Sequence, residues 1–261
     1  MTHITDVLAC IDEKKKQLDA AQPLPVALVR NLQEWFAVEF TYTSNALEGN
    51  TLSLSETAMV VEKGITVGGK TIREHLEAIN HTQAIDFIED LAHKQRADLA
   101  IDDILAIHKI VLQKIDDIHA GIFRKVQVRI VGSTTIFPNS AKVPFLMVDF
   151  MEWLQSASEH PIVVAALAHY KLVIIQHDIM ACPSKLYAKE GRTARLLMNL
   201  LLLQCGYPLA IIKKEQRNEY IDAIEHARKT DDFASFYGVI LQAVEYTLDS
   251  YLQAIAESDL S

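Results

Sequence analysis

The strongest constraint in this sequence is the helical spacing of its apolar residues, which recur every three to four positions through most of the chain. Half of the 261 residues are apolar, so the chain can bury a substantial core. Only nine glycines and seven prolines interrupt the pattern. Long periodic stretches with few helix breakers favour an all-α fold, with one helical domain and an N-terminal helical segment packed on it.

The pattern also predicts where individual helices begin and end. Ser53 and Glu56 have the spacing of a capping box, which predicts a helix that ends near Gly64. Ser44 is interpreted as the start of a short helix that Gly49 and Asn50 terminate. Other helices are predicted at about 4–20, from the prolines at 23–25 to about Thr41, and at about 71–93, 101–117, 143–157, 161–177, 190–204, 214–228 and 231–257.

The period changes at about residues 122–137. Val126, Val128 and Ile130 alternate with polar residues there, and a Gly-Ser-Thr turn follows them. Alternation of this kind around a turn predicts one small β-hairpin in the otherwise helical chain.

Charge and cysteine usage argue against several classes of protein, although a local basic patch remains possible. A net charge of −9 disfavours general binding to nucleic acids or anionic membranes. The two most apolar runs, 161–177 and 196–212, contain polar residues or proline and are predicted to be core helices rather than membrane spans. Cys10, Cys182 and Cys205 are odd in number and widely spaced, which predicts a reduced, cytoplasmic protein.

A phosphate-binding pattern occurs in "GITVGGKT", where Gly64, Gly69, Lys70 and Thr71 match the P-loop consensus in full. A P-loop needs a buried strand before it, whereas the preceding residues have the pattern of a helix end. We therefore interpret the glycines as a turn and Thr71 as the cap of the next helix.

Signals for a metal site are weak. The sequence has no HExxH motif and no Cys–His cluster. Glu77 and His81 lie one helical turn apart and are expected to form an exposed pair. His169 lies inside an apolar helix and is expected to be a core histidine with satisfied hydrogen bonds.

A second phosphate-binding candidate combines several kinds of residue. Arg192 and Arg195 lie three residues apart at a predicted helix start, where free N–H groups and the helix dipole favour anions. Two guanidiniums there could hold a di- or triphosphate. His177 ends the preceding apolar helix and is a candidate general base. Spacing alone leaves a pair of surface arginines as the alternative.

These residues resemble the Fic-domain family, whose signature is HPFx[D/E]GNGRxxR. "AHYKLVIIQH" and "GRTARLLMNLLLLQCGYPL" look like the two sides of that signature. "GKTIREHLEAINHTQAIDFI" resembles the preceding helix, "AGIFRKVQVRIVGS" the β-hairpin flap, and "EQRNEYIDAIEHARKTDDFASFYGVIL" the C-terminal helices. "SNALEGN", residues 44–50, resembles the inhibitory [S/T]xxxE[G/N] motif, with its glutamate at Glu48. The resemblance covers roughly residues 35–255.

The resemblance implies a Fic-like helical bundle with a hairpin flap. Residues 1–60 would form an N-terminal helical segment with the inhibitory motif, and 61–261 the catalytic core and C-terminal helices. The implied activity is transfer of AMP from ATP to a Ser, Thr or Tyr hydroxyl of a target protein, with Mg²⁺, and in some members removal of AMP. Family members often form dimers.

The resemblance also implies roles for individual residues. His177 would deprotonate the target hydroxyl. Arg192 would hold the nucleotide phosphates, and Arg195 would bind the γ-phosphate or pair with Glu48 in the inhibited state. The remaining nucleotide-binding candidates are Lys189, Glu190 and Gly191; Ser44 accompanies Glu48 in the inhibitory motif, and Val128, Ile130, Thr134 and Ile136 would dock the target.

The sequence departs from the family between His177 and Arg192. Fourteen residues, 178–191, stand where the family has seven, and Lys189, Glu190 and Gly191 replace the GNG triplet. Ala188 replaces the metal-binding acid, so only Asp178 or Glu190 remain as candidates for Mg²⁺. The loop is either remodelled yet active, part of an inactive interaction protein, or an altered stretch of an ordinary member. Cys182 is more simply a bystander than a reactive thiol.

Overall fold

The structure is a computed structural model that describes residues 2–123, 139–179 and 191–258. Short 3-10 turns at Arg96–Asp98, Ser140–Lys142 and Lys214–Gln216 precede three of the helices. The helical fold confirms the prediction, whereas residues 124–137 of the predicted hairpin lie outside the described ranges. The ten α-helices within those ranges are α1 (Thr2–Ala20), α2 (Val26–Leu47), α3 (Leu54–Lys63), α4 (Ile72–Leu91), α5 (Ile101–Leu112), α6 (Val143–Ser156), α7 (Pro161–Ile179), α8 (Gly191–Gln204), α9 (Arg217–Thr230) and α10 (Ala234–Ser258).

Helix α8 lies at the centre of the molecule. Every residue from 192 to 202 is buried, and the helix packs against α2, α4, α5 and α7. A helix that is buried all round is expected to be apolar, because its polar groups lose water without a guaranteed partner. Arg192, Thr193, Arg195 and Asn199 break that expectation, and this makes the first two turns of α8 the part of the core that needs a functional explanation.

Two predicted helix boundaries are wrong. Residues 44–47 continue α2, so no separate helix begins at Ser44, whose hydroxyl accepts a bond from Arg195 rather than capping a helix. Gly49, with φ +90°, does end this region as predicted, and the Asn50 N–H donates to the Asn45 carbonyl. Helix α5 stops at Leu112 rather than near 117, because the backbone turns extended at Gln113 and left-handed at Lys114.

The glycine turn between α3 and α4 is a pair of helix caps. Ser53 and Glu56 form the predicted capping box at the start of α3, and Gly64 ends that helix with φ +63°. Thr71 and Glu74 form a second capping box at the start of α4. Since α3 rather than a strand precedes Gly64, the segment lacks the geometry of a P-loop.

The apolar residues of α1 and α2 belong to the same buried cluster as those of the later helices. Ile11, Leu18, Phe36 and Phe40 pack in one core with α8 and α10 residues such as Leu197 and Val244. None of the helices that the structure describes combines the length and hydropathy that a bilayer-crossing segment needs.

Candidate functional site

Arg192 and Arg195 are both buried at the start of α8. Their exposed fractions are 0% and 1%, so the alternative of a surface pair is wrong. A buried guanidinium is costly unless carboxylates and hydrogen bonds compensate it. The groups that compensate the two buried guanidiniums therefore form the site.

Arg195 is held by the end of α2. Its Nη2 donates to Glu48 Oε1 at 2.7 Å and to the Ser44 carbonyl at 2.9 Å, and its Nε donates to Ser44 Oγ at 3.0 Å. The Glu48 side chain is itself only 9% exposed. Burial alone would lower the pKa of Arg195, but Glu48 and, to a smaller extent, Tyr220 together more than offset it and the pKa is raised. The sequence-predicted partners Ser44, Glu48 and Arg195 therefore lie together in one buried, charge-paired contact.

Arg192 is held differently. Its Nη1 donates to the amide oxygen of Asn45 at 3.2 Å. Burial lowers the pKa of Arg192, and the charges of Glu77 and Glu48 offset only part of that effect. The two arginines therefore face the same helix end through different chemistry, a neutral amide for Arg192 and a carboxylate for Arg195.

Gly191 allows this close approach. A Cβ built on Gly191 would lie 2.5 Å from Nη1 of Arg195 and 2.5 Å from Oε1 of Glu48. A Cβ atom does not come that close to other heavy atoms, so a larger residue would make the end of the Glu48 or Arg195 side chain shift. The glycine before Arg192 thus leaves room for the ion pair, even though the rest of the GNG triplet is replaced.

Glu77 supplies a second buried carboxylate from α4. It is 2% exposed, and it accepts from Asn50 Nδ2 at 3.0 Å and from Arg73 Nε at 3.2 Å. His81, one turn along, is 0% exposed, so the expectation of an exposed Glu77–His81 pair is wrong. Both residues face inwards because α4 packs between α2 and α8.

Three buried histidines surround the arginines and are held neutral. Burial lowers the pKa of His108 and of His169 to about 3, and nearby arginine charge adds to the effect. Burial, with Arg192 and Arg195, also lowers the pKa of His81 well below its ordinary value. His169 is buried as predicted, and its Nε2 lies 2.8 Å from the Tyr220 hydroxyl, but its Nδ1 has no hydrogen-bond partner among the described residues.

Tyr220 connects His169 to the ion pair. Its hydroxyl oxygen lies 3.4 Å from Nη1 of Arg195, which can only donate. The hydroxyl proton is therefore available to His169 Nε2, in agreement with a neutral ring. Arg217 of the same helix, α9, donates to the carbonyl of Leu47 at 2.9 Å and fixes the end of α2.

Several predicted site residues lie outside what the structure describes. The backbone of residues 177 and 178 belongs to α7, but the side chains of His177 and Asp178 are not described. The structure describes neither the backbone nor the side chains of a further set of predicted site residues: Cys182, Lys189, Glu190 and the flap residues Val128, Ile130, Thr134 and Ile136. Among the described residues, no group of three or more His, Cys, Asp or Glu side chains could hold a metal ion.

Sequence reasoning missed Asn45, Glu77, Tyr220 and Arg217 as members of the site. One signal was present for Asn45, because Asn45 and Glu48 have the same three-residue spacing as Arg192 and Arg195. Two helices that cross face to face can pair such residues one to one.

These features define a class of protein. It is helical, it buries two arginines at the start of a central helix, and it places a carboxylate from its own N-terminal part against one of them. A model of the Fic/DOC family matches residues 98–176, a range that ends immediately before His177. Residues 134–508 of Fic-1 from C. elegans superpose with a TM-score of 0.86 at 30% identity, covering 98% of this chain and 74% of that chain. The chain belongs to the Fic/DOC family.

Relatives of known name extend the similarity along almost the whole chain. The proteins called protein adenylyltransferase Fic in Drosophila grimshawi and Aedes aegypti are 38% identical over 253 residues and 36% identical over 250 residues. These matches cover 96% and 95% of this chain. The chain spans only about half the length of these relatives, 50% and 48%.

Proposed function

We propose that this chain is a protein adenylyltransferase that transfers AMP from ATP to a hydroxyl side chain of a target protein and is held inactive by the end of α2. The observation that carries the proposal is the buried Glu48–Arg195 ion pair at the start of the central helix. The names of the relatives support the reaction class, as statements about those proteins.

The proposed chemistry uses one base and two anion holders. His177 takes the proton of the target hydroxyl, whose oxygen then bonds to the α-phosphorus of ATP while pyrophosphate leaves. Arg192 and Arg195 hold the phosphates, assisted by the N-terminal N–H groups of α8 and by Lys189 and Gly191, whereas the carboxylate of Glu190 opposes the charge of Lys189. Removal of AMP from a modified protein is the alternative direction at the same site, and Val128, Ile130, Thr134 and Ile136 are proposed to dock the target.

Inhibition follows from charge competition. A carboxylate on Arg195 occupies the position that a phosphate needs and repels an incoming triphosphate. In the described conformation neither arginine is accessible, since both side chains are buried. We propose that residues 1–60 form the N-terminal helical segment with the inhibitory motif and that 61–261 form the catalytic core and C-terminal helices. ATP binding then requires the end of α2 to withdraw.

The second candidate function is a catalytically impaired interaction protein with the same fold. It is favoured by the sequence between His177 and Arg192, where Lys189 and Glu190 replace residues that wrap phosphates closely. The family match that stops at residue 176 is consistent with such a departure.

The proposal extends to the metal ion, the oligomeric state and the location of the protein. Mg²⁺ would accompany ATP, with Asp178 or Glu190 as its candidate ligands, and the side chains of both lie outside the described residues. A homodimer is proposed from the family resemblance. A cytoplasmic location rests on the cysteine usage of the sequence.

The decisive experiment replaces Glu48 by glycine. Because Glu48 follows the last residue of α2, a glycine there does not interrupt the helix. We expect at least about tenfold tighter ATP binding by calorimetry, and transfer of label from α-labelled ATP to the chain or to a target protein. His177→Ala in the same background is expected to abolish transfer.

The matched control is Glu62→Gly, which removes an exposed carboxylate from α3 and is expected to leave ATP binding unchanged. A folded Glu48→Gly protein that neither binds ATP, labels a protein nor removes AMP would refute the enzyme. Tight ATP binding without transfer in either direction would instead identify the impaired relative.

A further inference from the structure

The end of α2 presents two residues to α8 with matching spacing. Asn45 and Glu48 lie three residues apart, as do Arg192 and Arg195. The contacts pair one to one, with Asn45 Oδ1 accepting from Arg192 at 3.2 Å and Glu48 Oε1 accepting from Arg195 at 2.7 Å. We propose that Asn45 is a second inhibitory contact, which withholds Arg192 from phosphate as Glu48 withholds Arg195.

The orientation of the Asn45 amide is fixed by its surroundings. Its Nδ2 donates to the main-chain carbonyl of Glu77 at 3.2 Å, and its oxygen faces a guanidinium that can only donate. The side chain is 3% exposed, so water does not compete for either end. The amide therefore offers Arg192 an acceptor in a defined position.

Helix α2 offers Arg192 a neutral acceptor, while a carboxylate on another helix supports its charge. Glu77 favours the charged form of Arg192, and Glu77 is itself bound by Arg73 and Asn50. Arg195 has its strongest support from Glu48. When the end of α2 withdraws, Glu48 and the Asn45 acceptor leave with it while Glu77 stays on α4, so the charged form of Arg192 keeps its support from Glu77.

The competing explanation is that Asn45 only ties α2 to α4 through the Glu77 carbonyl. Two substitutions separate these roles. Asn45→Ala removes the acceptor and the tie together. Asn45→Asp is nearly isosteric and keeps the acceptor, adds a negative charge beside Arg192, and loses the donor to Glu77.

The inference rests on the proposed function and is tested with Mg-ATP binding to the full chain by calorimetry. We expect Asn45→Ala to bind ATP about tenfold more tightly than the parent, since a hydrogen bond to a charged group is lost from the inhibited state. Asn45→Asp should bind ATP more weakly than the parent. In the Glu48→Gly background, Asn45→Ala should tighten binding further, because each residue withholds a different arginine.

If Asn45 only links α2 to α4 and does not withhold Arg192, the expected results differ. Asn45→Ala and Asn45→Asp would then shift ATP affinity in the same direction, and Asn45→Ala would add nothing to Glu48→Gly, which overturns the inference. The matched control is Asn80→Ala, which removes a buried asparagine whose amide donates to the carbonyls of Val111 and Gln113 instead. If Glu48→Gly itself does not bind ATP, the proposed function fails and this inference fails with it.

Discussion

The turn at residues 64–71 and the start of α8 both carry patterns of phosphate-binding sites, but their positive charges have different partners. The Lys70 side chain is 19% exposed, and its Nζ donates to the Thr51 carbonyl at 2.6 Å and lies 3.3 Å from Glu56. The guanidiniums of Arg192 and Arg195 are buried and bound by Asn45, Ser44 and Glu48.

The comparison shows that a match to a sequence consensus and the presence of buried charge are different signals. The turn matches its consensus completely, yet its glycines and Thr71 end one helix and start the next. The segment before α8 lacks much of its consensus, yet the start of α8 holds buried charge that stability alone does not call for. Buried, paired arginines are therefore the better guide to an anion site in this chain.

The largest expected effect tests whether the α8 charges act as a buried pair. Arg195→Ala leaves the Glu48 carboxylate buried without its cation, and we expect the free energy of unfolding to fall by about 3–5 kcal/mol in urea titrations. The matched control is Arg30→Ala, whose ion pair with Glu34 has the same 2.7 Å separation but is exposed. The control should change stability little.

A compensated variant sharpens the result. Arg195→Met combined with Glu48→Leu removes both charges and should recover much of the lost stability, since apolar residues of similar volume replace a buried pair well. A double variant as unstable as Arg195→Ala would mean that lost packing, not unpaired charge, is the cause.

The sequence predicted the helices because they depend on a local pattern, the apolar period that located α3, α4 and α8. The sequence also singled out Arg192 and Arg195 by their spacing at a helix start, and Glu48 by its resemblance to the inhibitory motif. It did not predict Asn45 or Glu77 as partners, because which residues of α2 and α4 face α8 depends on how three helices pack. The expectation that Glu77 is exposed failed for the same reason.

The second-largest expected effect is a pH dependence of stability, which tests the low pKa of His169 beside the arginines. The folded-state pKa of His169 is about 3, lowered by burial and then by Arg195, so the unfolded chain takes up a proton that the folded chain does not. Stability should therefore fall as the pH falls from about 6 towards 4, by about 1.4 kcal/mol per pH unit for this residue.

We expect His169→Gln to reduce that slope by about the same amount, measured by urea unfolding at several pH values. The control is His93→Gln, at an exposed position. An unchanged slope in His169→Gln, or an equal change in the control, would contradict a buried neutral ring.

The smallest expected effect tests whether Thr71, in the turn at residues 64–71, acts only as a helix cap. Thr71 Oγ1 accepts from the Glu74 N–H at 3.2 Å, so Thr71→Ala should cost about 1 kcal/mol through the lost cap, while Thr71→Ser, which keeps the hydroxyl, should cost less. Measured in the Glu48→Gly background, ATP affinity should stay within about twofold in both variants, because a capping hydroxyl does not face the phosphates. A loss of ATP binding in Thr71→Ala alone would reinstate the turn as a phosphate site and reverse the comparison with α8.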